Sequence, residues 1–104
     1  MKLFHASPKS NLESIKKQGL IPKKIHRGEG FENTPPAIYT YSHIHDAEDG
    51  LMNWLMDLKE DEEEWMILSF DYDGLIEEDP ELPGVGLIIY EAIPFSKITI
   101  EQID

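Results

Sequence analysis

The chain has 104 residues, no cysteine, ten aromatic residues and a formal net charge of -12. This length fits one hydrophobic core, so residues 1–104 are predicted to form a single domain. The absence of cysteine excludes disulfides, thiolate zinc sites and cysteine nucleophiles. No apolar run approaches the roughly 18 residues of a membrane span, and no signal-peptide pattern is present. We therefore expect a cytoplasmic protein with no membrane partner.

The charge is distributed unevenly along the chain. Residues 1–27 carry seven of the nine basic residues and one acid, for a net charge of +6, whereas the remainder carries -18. Surface charge of this size steers partners of opposite sign. The acidic part is expected to disfavour direct nucleic-acid binding and to attract a basic protein partner, while the basic part could accept phosphates. The simpler interpretation is that both are solvated faces that keep the protein soluble.

The first predicted elements are a strand and a helix. Residues 2–6 form a short apolar strand, with His5 near its end. Ser10, followed three residues later by Glu13, is the pattern of a capping box and predicts the start of a helix. Gly19 is a typical helix terminator. His5 thus lies at a strand-to-helix corner, where its side chain can meet a ligand.

A long loop, a strand and a second helix are predicted next. Residues 23–36 are polar and contain glycines and prolines, and a loop of this length is usually functional or mobile. Residues 37–41 are rich in β-branched and aromatic residues, which predicts a strand. Apolar residues recur at helical spacing over residues 47–58, which predicts the second helix. The acid-rich residues 57–64 are expected to form its frayed end and a solvated turn.

Strands dominate the rest of the chain. Residues 65–72 are mostly apolar and are the clearest predicted strand, with residues 66, 68, 70 and 72 on one face; this strand turns at Asp73 and Gly74. Residues 75–84 are predicted to be an acidic loop, residues 85–91 a strand and residues 98–100 the last strand. Strands separated by two helices and followed by strands in series indicate an α+β fold.

The order of these motifs resembles the ADP-ribosyltransferase-like superfamily, in particular its small bacterial and phage members of the diphtheria-toxin type. Residues 3–22 are similar to the first strand and helix of the family, and residues 37–47 to its second motif. Residues 65–74 look like its central strand, and residues 93–98 like its penultimate turn and last strand. The resemblance implies a split β-sandwich of two small sheets with two main helices, and a nicotinamide or adenine nucleotide in the cleft.

The resemblance also implies roles for individual residues. His5 would hydrogen-bond the adenosine ribose, and the neighbouring backbone of Ala6 and Ser7 would hold the nicotinamide amide. Tyr39 would stack on the nicotinamide ring, since an aromatic face holds a flat cationic ring well. Glu91 is the candidate for the family glutamate, which stabilises an oxocarbenium-like transition state. Glu91 and Tyr39 are therefore the predicted catalytic residues.

Two more residues join the predicted binding site. Tyr41 shares one face of its strand with Tyr39, although both could simply fill the core. Arg27 lies in the long loop and is a natural phosphate contact if that loop closes over the ligand. The family more usually has glycine at the position of Ala6, so its Cβ could crowd the nicotinamide amide or change which nucleotide fits.

A metal site is the weaker interpretation of the histidines. His43 and His45, with Asp46, have the chemistry of zinc or nickel ligands. Two histidines at this spacing just after a strand diverge unless the loop folds back, so no metal is predicted.

Two functions follow from the sequence. The first is an ADP-ribosyltransferase that uses NAD as its substrate and transfers ADP-ribose to a macromolecular acceptor. The alternative is a non-catalytic acidic binding protein. Such a protein would sequester a nucleotide or act as a phage-type anti-defence protein that inhibits a host defence protein.

Overall fold

A computed structural model describes residues 1–22, 36–50, 64–80 and 84–103 of the chain. These residues form one antiparallel sheet of six strands and two helices, which confirms the predicted α+β class. Across the sheet the strands follow the order β4-β5-β2-β1-β3-β6. The elements are β1 (Lys2–Pro8), α1 (Leu12–Gln18), β2 (Ile38–Tyr41), α2 (described over residues 44–50), β3 (Trp65–Asp71), β4 (Glu77–Glu78), β5 (Gly86–Ile89) and β6 (Thr99–Ile103).

The hydrophobic core lies between α1 and one face of the sheet. Met66, Leu68 and Phe70 share this face because side chains alternate along a strand, and Ile15 of α1 packs in the same cluster. A fully buried large apolar side chain contributes about 1.5–3 kcal/mol, so this cluster is a main source of stability. Its other buried members are Leu3, Leu20, Ile38, Tyr72, Ile89 and Ile93.

The second helix approaches the opposite face of the sheet at Tyr41. Ile38 lies in the core cluster, so alternation directs the Tyr41 side chain, three residues on, to the other face. Ala47 of α2 is completely buried. A side chain at Gly50 would collide with the Tyr41 ring and hydroxyl, so this glycine allows α2 to pack closely on the sheet.

β1 separates from β2 while it stays paired with β3. Cα partners join β1 to β3 over all seven residues, from Lys2–Asp71 to Pro8–Trp65. Among the described residues, β1 and β2 share a single pair, Phe4–Tyr41. The two strands therefore form a fork, the β1–β2 fork, which opens beyond this pair.

The hydrogen-bond pattern of β1 determines which backbone groups face the fork. Met1 and Tyr72 exchange two backbone hydrogen bonds, of 3.1 and 2.8 Å. In an antiparallel ladder, only every second residue bonds to a given neighbour, so His5 bonds to β3 and Ala6 does not. The N–H and C=O of Ala6 consequently point toward β2, into the fork.

Two predictions about the fold are corrected. Lys9–Asn11 form a 3₁₀ turn directly after β1, and this turn takes Ser10 out of the capping position. α1 then begins after Asn11 without a side-chain cap, so the predicted capping box is not formed. The two small sheets implied by the family resemblance are replaced by one sheet, because the Phe4–Tyr41 pair joins its two halves.

The C-terminal part contains more strand than predicted. The predicted loop over residues 75–84 includes β4, which pairs with β5. The last strand continues to Ile103, beyond the predicted residues 98–100. β5 is shorter than the predicted strand over residues 85–91, so Glu91 follows the strand.

Some predictions fall outside the described residues. They are the loop from residue 23 to residue 35, which contains Arg27, the helix beyond residue 50, and the acidic run before residue 64. Where the structure is described, none of its helices has the length and apolar character needed to cross a membrane.

Candidate functional site

A cavity opens in the β1–β2 fork, on the side of the sheet covered by α1. It is lined by residues 5–8 of β1, residues 37–39, the inner face of α1 and residues 19–21, and we call it the fork pocket. Its volume is about 210 Å³. Since an engineered cavity of about 150 Å³ holds benzene, the fork pocket has room for one substituted ring but not for a whole dinucleotide.

The backbone of Ala6 presents a hydrogen-bond donor and an acceptor to this pocket. Continuing the Phe4–Tyr41 register by two residues would pair Ala6 with Tyr39, but this pair is not formed. Ala6 instead lines the fork pocket, with its N–H and C=O on the fork side. An adjacent donor and acceptor complement a ligand group that has one acceptor and one donor side by side, such as a primary carboxamide.

The side chain of His5 makes a hydrogen bond to β2 beyond the Phe4–Tyr41 pair, where the two backbones no longer pair. Its Nδ1 lies 2.7 Å from the carbonyl oxygen of Tyr39. A carbonyl oxygen only accepts, so Nδ1 carries the proton, and in the neutral ring Nε2 is the acceptor nitrogen. This bond fixes the orientation of the imidazole at the pocket wall. It also holds β1 and β2 together beyond their last backbone pair.

The helical side of the pocket carries neutral polar groups. Asn11, Ser14, Ile15 and Gln18 line it, and their spacing places them on one helical face. The Asn11 amide donates a hydrogen bond of 3.2 Å to the buried hydroxyl of Ser7, which ties the start of α1 to β1. Sequence reasoning missed this face, although the spacing of three, four and seven residues was a usable signal.

Gly19 closes the pocket at the end of α1. Its φ of 77° and ψ of -169° lie in a region almost restricted to glycine. Leu20 and Ile93 exchange two backbone hydrogen bonds, each of 2.8 Å. A Cβ on Gly19 would collide with the carbonyl of Ile93. Glycine therefore allows the segment after α1 to lie directly against the segment after β5.

The structure brings together four of the predicted binding residues and separates a fifth. His5, Ala6, Ser7 and Tyr39 all line the fork pocket. The side chain of Tyr39 alternates with that of the core residue Ile38, which directs its ring to the other sheet face. The carbonyl of Tyr39, rather than its ring, is thus the group held at the pocket. Tyr41 is paired at the closed end of the fork and is not a lining residue.

Glu91 is not brought to the pocket. It is exposed, follows β5, and does not contribute to the lining. It lies instead near the hydroxyl of Tyr72, whose pKa is raised first by burial and then by the charge of Glu91. Arg27 lies outside the described residues, so its phosphate contact stays a prediction.

The candidate metal ligands do not assemble into a cluster. In residues 1–22, 36–50, 64–80 and 84–103, no three histidine, cysteine or acidic side chains come together in a way that could hold a metal ion. His43 and His45 are both exposed. Nδ1 of His45 lies 3.8 Å from a carboxylate oxygen of Glu48, within its own helical segment.

Comparison of the chain with protein-family models, with curated proteins and with solved structures gave no match. The functional conclusion therefore rests on the geometry of the fork pocket.

Proposed function

We propose that the chain binds an NAD-type or ADP-ribose-type nucleotide, with its nicotinamide or adenine ring in the fork pocket. The observation that carries the proposal is the N–H and C=O of Ala6, which face the pocket side by side. The carboxamide of nicotinamide has a matching acceptor and donor, and so does the adenine edge that carries N7 and the N6 amino group.

The size and lining of the pocket support a flat ring as the bound part. Ile15, Leu20 and Ile38 line it beside the polar groups, and apolar contact is worth about 25 cal/mol per Å² removed from water. The rest of the nucleotide would extend out of the pocket. Lys16 and Lys17 lie exposed on α1, and Lys16 is 3.9 Å from a carboxylate oxygen of Glu13; their positive charge would attract the phosphates.

The proposal stops at binding because transfer of ADP-ribose requires a carboxylate close to the nicotinamide–ribose bond. Such a carboxylate stabilises the positive charge that develops in the transition state. No aspartate or glutamate lines the fork pocket among the described residues, and Glu91 lies near Tyr72. A protein that sequesters a nucleotide needs only the ring and phosphate contacts.

Calorimetric titration of NAD and ADP-ribose into wild type and two variants tests the proposal. His5→Ala removes the bond to Tyr39, and we expect at least tenfold weaker binding. Thr40→Val is the matched control, because the buried Thr40 hydroxyl donates a 2.9 Å bond to the Leu87 carbonyl away from the pocket. Its affinity should equal that of wild type. The absence of wild-type binding to both nucleotides would refute the proposal.

A second proposal concerns the acidic surface. We infer that it binds a basic protein partner, because several exposed acids form no ion pair with any described residue. Their charge is therefore available to a partner. These acids are Asp49, Asp71, Glu77, Glu78 and Glu91.

Polylysine is a suitable probe for this second proposal. Surface charges are screened beyond about 10 Å at 0.1 M salt, so binding should weaken steeply between low and moderate salt. A triple substitution of Asp71, Glu77 and Glu78 to the corresponding amides should weaken it further at low salt. Binding that is independent of salt, or equal in the variant, would contradict the proposal.

A further inference from the structure

The geometry points to a binding site for the guanidinium group of an arginine side chain, formed by Tyr90 and Glu77 on the sheet face turned away from α1. This inference rests on the proposed binding of a basic protein partner and narrows it, because the partner must present an exposed arginine. We call these two residues the tyrosine–glutamate site.

The pairing of three strands determines which face of the sheet carries this site. Ile88 of β5 pairs with Glu77 of β4 on one side and with Tyr39 of β2 on the other. Directly paired residues of an antiparallel sheet point to the same face. Ile89 belongs to the core cluster under α1, so Ile88, one residue earlier, points to the opposite face. Glu77 and Tyr39 therefore flank Ile88 on the face away from α1.

Tyr90 lies beside this row and orients the carboxylate of Glu77. Its hydroxyl donates a hydrogen bond of 2.8 Å to Oε2 of Glu77. The pKa of Tyr90 is raised above its ordinary value of 10.0, first by this hydrogen bond and then by burial, with a smaller effect of Tyr39. The phenol therefore stays protonated at neutral pH and continues to donate. The carboxylate is thus held beside an aromatic ring before a partner binds.

Glu77 retains the capacity to bind a cation while it accepts the bond from Tyr90. An ionised carboxylate has about four acceptor positions on its two oxygens, and the phenol occupies one of them. Glu77 is exposed, and Tyr90 is partly exposed. A side chain of a partner can therefore reach the carboxylate and the ring together from solvent.

A guanidinium group fits this combination better than an ammonium group does. It is planar, forms paired hydrogen bonds with a carboxylate and stacks on aromatic faces. The negative face of a tyrosine ring also attracts a cation. A lysine ammonium is a compact and strongly hydrated point charge, which gains less from a flat ring beside the carboxylate. The tyrosine–glutamate site should therefore distinguish arginine from lysine.

The surrounding charge favours the same partner but does not by itself select arginine. The chain has a formal net charge of -12, and exposed Glu78 follows Glu77 directly on β4. Alternation directs Glu78 to the other face of the sheet. Glu78 thus adds to the long-range attraction of a basic partner without taking part in the site.

Fluorescence anisotropy with two labelled peptides tests the inference. The probes are hexaarginine and hexalysine, which have equal length and equal charge. Attraction by the acidic surface alone would bind them equally at low salt. We expect wild type to bind hexaarginine about fivefold more tightly, which is the size of effect that an exposed contact between a cation and an aromatic ring produces.

Two neighbouring acids provide a matched pair of variants. Glu77→Gln and Glu78→Gln each remove one negative charge from exposed β4, but on opposite faces. Glu77→Gln should abolish the preference for hexaarginine. Glu78→Gln should weaken both peptides by the same factor and keep the preference. Tyr90→Leu should abolish the preference without any change in net charge, and circular dichroism checks that this variant is folded.

The outcomes separate this inference from the proposed binding of a basic partner. Equal binding of the two peptides by wild type would overturn the inference and leave the proposed role of the acidic surface standing. A preference that survives Glu77→Gln, or that Glu78→Gln abolishes as well, would overturn the assignment to the tyrosine–glutamate site. Failure of both peptides to bind at low salt would overturn the inference and the proposed partner together.

Discussion

Substitution of Gly19 by alanine should destabilise the protein far more than the same substitution at Gly84. Both glycines have a positive φ, 77° and 78°, so alanine is strained at either position. Their surroundings differ. A Cβ at Gly19 would collide with the carbonyl oxygen of Ile93, whereas nothing lies within 4 Å of a Cβ at Gly84. Comparison of the two substitutions therefore distinguishes the cost of backbone strain, which both share, from the cost of the collision with Ile93, which only Gly19→Ala has.

The magnitudes follow from these two terms. Alanine held at such a positive φ costs about 1–3 kcal/mol of folding free energy. Alanine also makes the unfolded chain less flexible than glycine does, which offsets about 0.4–1 kcal/mol of this cost. At Gly19 the collision must also open the two hydrogen bonds between Leu20 and Ile93, worth about 0.5–1.5 kcal/mol each. We expect the free energy of unfolding to fall by about 3–5 kcal/mol for Gly19→Ala and by about 1–2 kcal/mol for Gly84→Ala.

Urea unfolding followed by circular dichroism measures both losses. A domain of this length has a total stability of about 5–15 kcal/mol, so Gly84→Ala should still unfold cooperatively. Gly19→Ala should have a much lower midpoint or fail to fold under the same conditions. Losses that agree to within about 0.5 kcal/mol, the spread expected between ordinary surface substitutions, would refute the steric argument.

Three further predictions concern side chains. His5→Ala should lower the free energy of unfolding by about 1–2 kcal/mol, because the Tyr39 carbonyl loses its donor; calorimetry showing wild-type stability would contradict this. The pKa of Glu101 is lowered below its ordinary value of 4.5 by the Ser69 hydroxyl and then by Lys2. Its contribution to stability is thus present above this value and lost as pH falls below it. Acid unfolding curves should therefore be less steep for Glu101→Gln, and identical curves would exclude the effect. Glu91→Ala should bind NAD within twofold of wild type by calorimetric titration, and a larger loss would place Glu91 at the site after all.

The strands of the central sheet were predictable where local pattern and burial agree. β3 is recognised from sequence because its residues are almost all apolar, and both of its faces are covered in the structure. β4 was missed because Glu77 and Glu78 carry no strand signal of their own. They are extended because Glu77 and Glu78 pair with Ile88 and Leu87 of β5, which is a tertiary effect that local propensity does not contain.

At the start of α1, a local capping motif competes with the pairing of β1 and β3, and the sequence alone does not show which of them prevails. A serine followed three residues later by glutamate predicts a capping box. β1, however, stays paired with β3 through Pro8, two residues further than predicted, and the chain must turn at once afterwards. The 3₁₀ turn Lys9–Asn11 meets this requirement. Tertiary pairing thus overrides the local capping motif.

The candidate site could be predicted only in part. The cluster of His5, Ala6 and Ser7 follows from one short stretch, so a motif was enough to find it. The position of Glu91 depends on where β5 ends, which is Ile89 rather than the predicted residue 91. The direction of the Tyr39 ring depends on which face of β2 is buried. Neither can be read from a single strand, because alternation gives two faces without saying which one meets the core.

The β1–β2 fork connects the stability of the sheet with the proposed binding of a ligand. β1 is held on its outer side by seven residue pairs with β3, and β2 by four pairs with β5. The outer partners therefore fix both strands, while the Phe4–Tyr41 pair and the His5 bond join them on the inner side. Polar backbone groups at a half-buried position need a partner, so the groups of Ala6 favour a ligand that supplies one. Because the fork is already open, a ligand would not have to break β-ladder bonds to enter, and its hydrogen bonds to Ala6 would contribute directly to affinity.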